Sequence, residues 1–284
     1  MFNDKREKLT EIFEDTMRLC RKDTELADAI KHTRENTKFY APDEKPELSH
    51  TEIRDTQYNV TTERTLEAAK RLSEKYRGKR IAVLNFASAT NPGGGVARGS
   101  SAQEESLCRC STLYPCLKTD KLYGQFYAMH RARYDTLYTD ACIYTPDIAV
   151  IKSDALFPQA VPKSERFKVD VITCAAPNLR EKPYNAMNPG QGVPTKLTPT
   201  ELFDIHVKRG KHILDVAASN GADIVVLGAF GCGAFRNDPN IVANAYGHVL
   251  CNYKRIFDEV VFAIYCSSGD TENYDRFKEV IGRV

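Results

Sequence analysis

Six short apolar segments alternate with stretches of helical periodicity along this chain, and this alternation limits the possible folds most strongly. The apolar segments, each predicted to be a strand, cover 53–60, 81–87, 147–152, 169–176, 223–228 and 260–265. Helices are predicted at 62–76, at 103–117, at 198–221, from about 238 and at 270–280. Strands that are apolar almost throughout belong to a sheet that is covered on both faces. The sequence therefore predicts an α/β protein, and 284 residues suffice for one large domain or two small ones.

A charged amino-terminal segment precedes this pattern. Within residues 1–36 the apolar positions are spaced by three and four, which indicates an amphipathic helix. These positions are Leu9, Ile12, Phe13, Met17 and Cys20. A stretch with two prolines at 41–46 ends the helical pattern. We therefore expect a helical extension over residues 1–50, packed on an α/β core that covers residues 51–284.

Three glycines follow the strand at 81–87, and the pattern GGG-(x7)-QEE spans residues 93–105. Glycines let a backbone approach a ligand closely, and adjacent carboxylates are candidate acid/base groups. Ser101 and Glu104 fit a capping box, which would turn Glu104 back onto the start of the helix. Glu105 would then point about 100° away from Glu104, into a site. The alternative is that both acids only favour the positive end of the helix dipole.

A second glycine-rich segment, GAFGCGAFRNDP at 228–239, again links an apolar strand to the start of a helix. Exposed amides at such a position bind phosphate well. The segment is neither a Walker A loop nor a GxGxxG fingerprint. Phe235 either stacks on a sugar or base or packs in the core, and Arg236 is read as a solvated charge rather than a phosphate contact. Two such loops suggest a diphosphate held between them, beside a carboxylate that attacks an adjoining bond.

Charge and cysteine content narrow the class further. The 40 basic and 38 acidic residues give a net charge of +2, which provides no overall attraction to nucleic acid or to an anionic membrane. No apolar run reaches the roughly 18–20 residues of a membrane span, and residues 1–7 lack the apolar core of a signal peptide. Nine cysteines suit a reducing compartment. We expect a cytoplasmic protein, or a nuclear one if the source is eukaryotic.

A zinc site is the alternative reading of Cys108, Cys110 and Cys116. No second CxxC and no paired histidines complete a tetrahedral ligand set, so free buried thiols are the better interpretation. We therefore expect no metal and no cofactor.

The GGG-(x7)-QEE pattern resembles the signature of the poly(ADP-ribose) glycohydrolases. Segment 228–239 resembles the diphosphate loop of the microbial branch of that family, and the likeness extends over most of residues 50–284. The resemblance implies a macrodomain-like fold, a mixed β-sheet sandwiched between helices that holds ADP-ribose. It also implies that the chain lacks the large accessory region of the animal enzymes.

Matched position by position, the resemblance implies a role for each residue of the two motifs. Glu105 would be the catalytic acid, and Glu104 would hold the ribose of the substrate. The remaining contacts with ADP-ribose would be made by Asn91, Pro92, Gly93, Gly94, Gly95, Val96, Gln103, Gly231, Cys232, Gly233, Ala234 and Phe235. Among these, Phe235 would pack on the ribose. The resemblance does not place the adenine pocket.

The implied reaction is hydrolysis of the ribose–ribose O-glycosidic bond in poly(ADP-ribose), mainly from chain ends, with release of ADP-ribose. The partners would be poly(ADP-ribose) or ADP-ribose and ADP-ribosylated proteins, with no nucleic acid and no membrane, and the chain would be a monomer. Other readings remain open. They are an ADP-ribose-binding module, a hydrolase of mono-ADP-ribose or O-acyl-ADP-ribose linkages, and a nucleotide-binding α/β protein of different function.

Overall fold

A seven-stranded mixed sheet organises the molecule. The computed structural model describes residues 2–47, 54–184, 194–266 and 269–284. The strand order is β1-β4-β5-β3-β6-β7-β2, and β4 runs antiparallel to both of its neighbours while the other neighbouring pairs are parallel. The strands are β1 (Lys38–Tyr40), β2 (Gln57–Thr61), β3 (Ile81–Phe86), β4 (Cys142–Val150), β5 (Phe167–Cys174), β6 (Ile224–Leu227) and β7 (Glu259–Ala263).

Helices cover both faces of this sheet, as the apolar strands predict. Along β3, Ile81 and Val83 belong to one buried cluster, and Ala82 and Leu84 belong to the other. The first cluster is completed by α1 (Phe2–Lys22), α2 (Thr24–Asn36), α3 (Thr65–Lys75), α4 (Gln103–Cys110) and α5 (Leu113–Leu117). The second is completed by α8 (Pro199–Ser219), α9 (Pro239–Leu250) and α10 (Glu272–Ile281). The result is a three-layer α/β sandwich.

A shorter helical stretch joins α5 to β4. It comprises α6 (Asp120–Leu122), a π-helix (Tyr123–Ala128) and α7 (Met129–Arg133). Two 3₁₀ turns lie elsewhere, at Val96–Arg98 and Lys163–Glu165. The sequence patterns predict none of these five pieces.

The amino-terminal extension is two helices rather than one. The break falls at Asp23, whose side chain accepts a hydrogen bond from the amide of Glu25 at 3.1 Å and caps α2. The segment that follows contributes β1, paired antiparallel with β4, so this part of the chain also extends the sheet. The expected boundary between residues 50 and 51 lies outside the described residues.

The predicted helix at 103–117 is wrong in its length. Its backbone turns away at Ser111, which forms a bridge to Val150, and the amide of Thr112 donates to the carbonyl of Ala149 at 3.0 Å. This pairing with β4 separates α4 from α5. Strand β4 itself begins five residues earlier than predicted, at Cys142, and its register with β5 shifts between Thr145 and Ile148.

The other predicted elements are found with small shifts of their ends. Thr198 caps α8 in the predicted capping box: its hydroxyl accepts from the amide of Glu201 at 3.3 Å, and its own amide donates to the Glu201 carboxylate at 2.7 Å. Residue 53 of the first predicted strand lies outside the described residues. Among the helices that the structure describes, none is long and apolar enough to cross a membrane.

Candidate active site

A cavity of about 960 Å³ opens at the carboxyl edge of the parallel strands. The segments that follow β3, β6 and β7 all contribute to its wall, which is where an open α/β sheet presents a ligand site. The predicted residues that line it are Asn91, Gly94, Gly95, Gln103, Glu104, Glu105, Gly231, Gly233, Ala234 and Phe235. Pro92, Gly93, Val96 and Cys232 are not among the lining residues, and Val96 is buried in the core.

The first glycine loop is held by its own backbone. The amide of Gly94 donates to the carbonyl of Asn91 at 3.0 Å, and the amides of Arg98 and Ser100 both donate to the carbonyl of Gly95. Arg131, which the sequence does not single out, donates to the carbonyl of Thr90 at 2.8 Å and to the side-chain oxygen of Asn91 at 2.6 Å. The loop is therefore a fixed structure.

Gln103 joins helix α4 to the end of strand β3. Its side-chain nitrogen donates to the carbonyl of Leu84 at 2.8 Å, and its side-chain oxygen accepts from the amide of Phe86 at 2.9 Å. A side-chain amide here continues the hydrogen bonding of the strand. This contact places the two glutamates that follow Gln103 directly above the strand end.

The predicted capping box at Ser101 is wrong. Ala102 is the N-cap residue of α4, and no side chain caps it. Glu104 turns instead toward the loop after β3, where its carboxylate accepts from the amide of Ser88 at 2.7 Å and from the side chain of Asn85 at 3.4 Å. Within the described part of the chain the Ser88 amide has no strand partner, and the Glu104 carboxylate satisfies it.

The electrostatics of the acid pair follow from its burial, since Glu104 is 3% exposed and Glu105 is 7% exposed. Desolvation, with the nearby charge of Glu105, raises the pKa of Glu104 well above its ordinary value.

Glu105 has one fixed oxygen and one free oxygen. Oε1 accepts from the amide of Gly95 at 2.9 Å. Oε2 is buried and has no hydrogen-bond partner in the described part of the chain. Gly94 stands at a φ of 56°, and a Cβ on it would lie 2.5 Å from Oε1 of Glu105, so only glycine fits here. A buried, unpartnered carboxylate oxygen in a cavity wall is unfavourable unless a ligand or a water satisfies it.

The second glycine loop presents unused backbone amides to the cavity. The amides of Gly233, Ala234 and Phe235 donate to no acceptor within the described ranges. Asn237 holds the loop from behind, because its side-chain nitrogen lies within hydrogen-bonding distance of the carbonyls of Pro177, Gly231 and Phe235. Its side-chain oxygen lies 2.8 Å from Nε2 of His206. Free amides on a fixed loop are suited to an anionic group.

Aromatic side chains lie in two parts of the cavity wall. Phe235 packs beside Tyr138, with ring centroids 6.4 Å apart, and the guanidinium of Arg180 lies 5.8 Å from its ring centre. Elsewhere in the wall, the guanidinium of Arg64 stacks over the ring of Tyr265 at 3.8 Å. Of these residues, the sequence pattern points only to Phe235. Tyr265 is the last residue of the predicted strand at 260–265, so it lies at a strand end, as both glycine loops do.

Cys108, Cys110 and Cys116 are buried free thiols. Burial raises the pKa of each of them, which keeps the sulfur protonated. In the described ranges no group of three or more His, Cys, Asp or Glu side chains is arranged to hold a metal ion. The cysteines of this region therefore act as small apolar side chains beneath the site.

The sheet order and the flanking helix layers make this chain a macrodomain-like α/β protein, as the sequence predicts. The chain belongs to the family of the microbial-type PARG catalytic domain, whose family model matches residues 7–153. The matched region includes most of helix α1, the first glycine loop and the QEE segment.

Solved structures extend the likeness over nearly the whole chain. The poly(ADP-ribose) glycohydrolase of Thermomonospora curvata is 29% identical over 96% of this chain and 99% of its own, with a TM-score of 0.81, and its complex with the inhibitor ADP-HPD gives a TM-score of 0.78. The enzyme of Deinococcus radiodurans, in complex with ADP-ribose, is 32% identical over 89% of this chain and 97% of its own, with a TM-score of 0.73. No curated protein matches the chain significantly.

Proposed function

We propose that this chain hydrolyses the ribose–ribose O-glycosidic bonds of poly(ADP-ribose), mainly from chain ends, and releases ADP-ribose. The observation that carries this proposal is the state of Glu105, which is fixed through one oxygen and has the other unpartnered in the cavity wall. Membership of the family supports the substrate class. The complexes of the two bacterial enzymes with ADP-HPD and with ADP-ribose support the same ligand chemistry here.

In this proposal the two glycine loops hold the diphosphate of the terminal unit. The unused amides of Gly233 and Ala234 donate to its oxygens, and Phe235 packs on the ribose that carries the scissile bond. The adenine base stacks against the pair formed by Arg64 and Tyr265, which presents a flat cationic and aromatic surface. These contacts use the cavity that the folded chain already contains.

Glu105 is the proposed general acid. Cleavage of a glycosidic bond passes through an oxocarbenium-like transition state, and the departing ribose oxygen must receive a proton. Both oxygens of Glu104 already accept protein hydrogen bonds, whereas Oε2 of Glu105 accepts none within the described residues and is the oxygen that we assign to the proton transfer. After the bond breaks, the ionised Glu105 activates a water, and the bound diphosphate stabilises the cationic ribose. Glu104 orients the ribose hydroxyl groups, and no step requires a metal or a cofactor.

We further propose that the natural substrates are polymers carried by ADP-ribosylated proteins and that the chain works as a monomer in the cytoplasm, without binding nucleic acid or membrane. The free cysteines of the described chain support a reducing compartment.

Incubation with poly(ADP-ribose) of defined length, with products resolved by length, tests the proposed activity. Stepwise shortening by single units together with free ADP-ribose is the expected result. Early accumulation of short oligomers would contradict cleavage from chain ends. ADP-ribose binding without any turnover would instead favour a binding module, and release of ADP-ribose only from singly modified protein would favour a mono-ADP-ribose hydrolase.

A further inference from the structure

Helix α1 forms part of the cavity wall. Lys5 and Arg6, in its first two turns, line the same cavity as Ser100 and Glu105. The extension therefore lines the cavity that also contains the acid pair, as well as packing on the core.

The position of α1 is fixed relative to the acid pair. Gly99 stands at a φ of 70°, and a Cβ on it would lie 2.2 Å from the carbonyl oxygen of Arg6, so the two backbones are in direct contact. Further along α1, the hydroxyl of Thr16 donates to the carbonyl of Arg109 at 2.6 Å. The buried guanidinium of Arg109 donates in turn to the carbonyl of Ser100 at 2.6 Å. Helices α1 and α4 are thereby held as one unit.

Four cationic side chains line the cavity: Lys5, Arg6, Arg64 and Arg180. Arg64 is stacked on Tyr265, and Arg180 donates to the side chain of Asn178 and to the carbonyl of Pro183. The side chains of Lys5 and Arg6 are exposed and make no hydrogen bond or ion pair within the described residues. These two cations are therefore available to a ligand.

We propose that Lys5 and Arg6 form a second phosphate subsite, which binds the diphosphate of the polymer unit on the leaving side of the scissile bond. This inference rests on the proposed function. When the terminal unit is cleaved, the departing ribose belongs to the preceding unit and carries that unit's own diphosphate. The cation pair lines the same cavity as Ser100 and Glu105, and the backbone of Arg6 contacts Gly99, the residue before Ser100. Arginine and lysine make charge-assisted hydrogen bonds to phosphate oxygens. The subsite distinguishes a polymer from a single ADP-ribose unit, which has no such second diphosphate.

The test compares Lys5→Ala/Arg6→Ala with Arg21→Ala/Lys22→Ala, an adjacent exposed basic pair at the other end of the same helix. Both variants remove two positive charges and keep a good helix former. The first variant is expected to lower kcat/KM on short poly(ADP-ribose) about tenfold, as loss of hydrogen bonds to a charged group implies. It is also expected to weaken the salt dependence of kcat/KM. The second variant should match the wild type, and the charge-preserving Lys5→Arg/Arg6→Lys variant should recover most of the activity.

Two further measurements make the outcome decisive. Calorimetric titration with free ADP-ribose reports the terminal-unit site alone. The affinity for ADP-ribose should therefore change less than twofold in the Lys5/Arg6 variant, whereas kcat/KM on the polymer should fall about tenfold. The subsite would be refuted if the variant lost ADP-ribose affinity as strongly as it lost kcat/KM on the polymer. It would also be refuted by an equal loss of rate on an aryl glycoside of ADP-ribose, whose leaving group has no phosphate. A wild-type polymer rate retained by the variant would overturn it too. Failure of the wild-type chain to release ADP-ribose from polymer at all would instead overturn the proposed function.

Discussion

Glu104 and Glu105 are neighbours in the sequence but meet different surroundings. Glu104 is bound to the loop after β3 through the Ser88 amide and to Asn85 on the strand itself, while Glu105 keeps one oxygen unpartnered. One residue along a helix turns a side chain by about 100°, and this rotation gives the two carboxyl groups their different partners.

The raised pKa of Glu104 predicts how the free energy of unfolding depends on pH. A carboxyl group with a higher pKa in the folded state than in the unfolded state favours folding at low pH, and this contribution is lost as pH rises from about 4.3 through the folded-state pKa. Glu104→Gln removes the titrating carboxyl group and keeps an oxygen that accepts from the Ser88 amide.

We expect Glu104→Gln to unfold at higher urea concentration than the wild type at pH 7.5, by about 1 kcal/mol or more, because a pKa difference of one corresponds to about 1.4 kcal/mol. The gap should shrink toward pH 4.5. The exposed Glu74→Gln serves as the control and should show no such trend. A stability difference that does not vary with pH would contradict this description of the acid pair.

Gly94 allows a test of the close contact between loop and acid. Gly94→Ala places a methyl group 2.5 Å from Oε1 of Glu105, whereas Gly78→Ala places one in open space at a similarly positive φ. Both changes should cost about 1 kcal/mol of stability through backbone strain. Only Gly94→Ala should also lower kcat, by about a hundredfold, since displacement of a reacting group by an ångström has effects of that size. Equal kcat values for the two variants would contradict the assignment.

At the scale of elements, the sequence predicts most strands and the long helices because burial on both faces makes them apolar. The sequence does not predict element ends or side-chain partners that are set by contacts with another part of the chain. The division between α4 and α5 is imposed by pairing with β4, and the target of Glu104 is an amide sixteen residues earlier in the chain. Such contacts join residues that are distant in the sequence, so the local sequence pattern does not predict them.

The residues of the cavity wall are likewise predicted from the sequence only where a local pattern marks them. Both glycine loops carry a recognisable local pattern, and they are found from the sequence. Arg131 and Lys5 lie on helices whose own periodicity gives no sign of a site, so only the folded structure brings them to the cavity region.

The loop after β6 gives a prediction at this scale. Asn237 binds three carbonyl groups of the surrounding loops and the ring of His206. Asn237→Ala should weaken binding of free ADP-ribose about tenfold and destabilise the fold by about 1–3 kcal/mol, because buried loop carbonyls lose their donor. Asn244→Ala removes an exposed amide of α9 and should change neither quantity. A stability loss without any change in ADP-ribose affinity would show that Asn237 has no role in shaping the loop for phosphate.

The whole molecule contains buried histidines on both sides of the sheet. Burial lowers the pKa of His130 and of His206 to about 4 each. An unfolded histidine has a pKa of about 6.5, so the unfolded state binds more protons than the folded state between these values. The stability that the neutral rings contribute is present above pH 6.5 and is lost as pH falls toward 4.

The two histidines should therefore lower the free energy of unfolding as pH falls from 6.5 to 5, each by up to about 1.4 kcal/mol per pH unit, while Glu104 contributes with the opposite sign. His206→Gln, in which the amide group can still donate to Asn237, should reduce this slope by the contribution of one group. The exposed His248→Gln is the control for removal of an imidazole. Urea denaturation across this range gives the slopes, and an unchanged slope in His206→Gln would refute the linkage.

Turnover by Glu105→Gln, measured beside ADP-ribose affinity, tests the proposed chemistry most directly. The glutamine is isosteric and still accepts from the Gly95 amide, so the fold and the ADP-ribose site should survive. Release of ADP-ribose from poly(ADP-ribose) should fall by about a thousandfold, within the range expected for loss of a general acid, while calorimetric affinity for ADP-ribose stays near the wild-type value. Full release of ADP-ribose by this variant would show that Glu105 does not carry the proton.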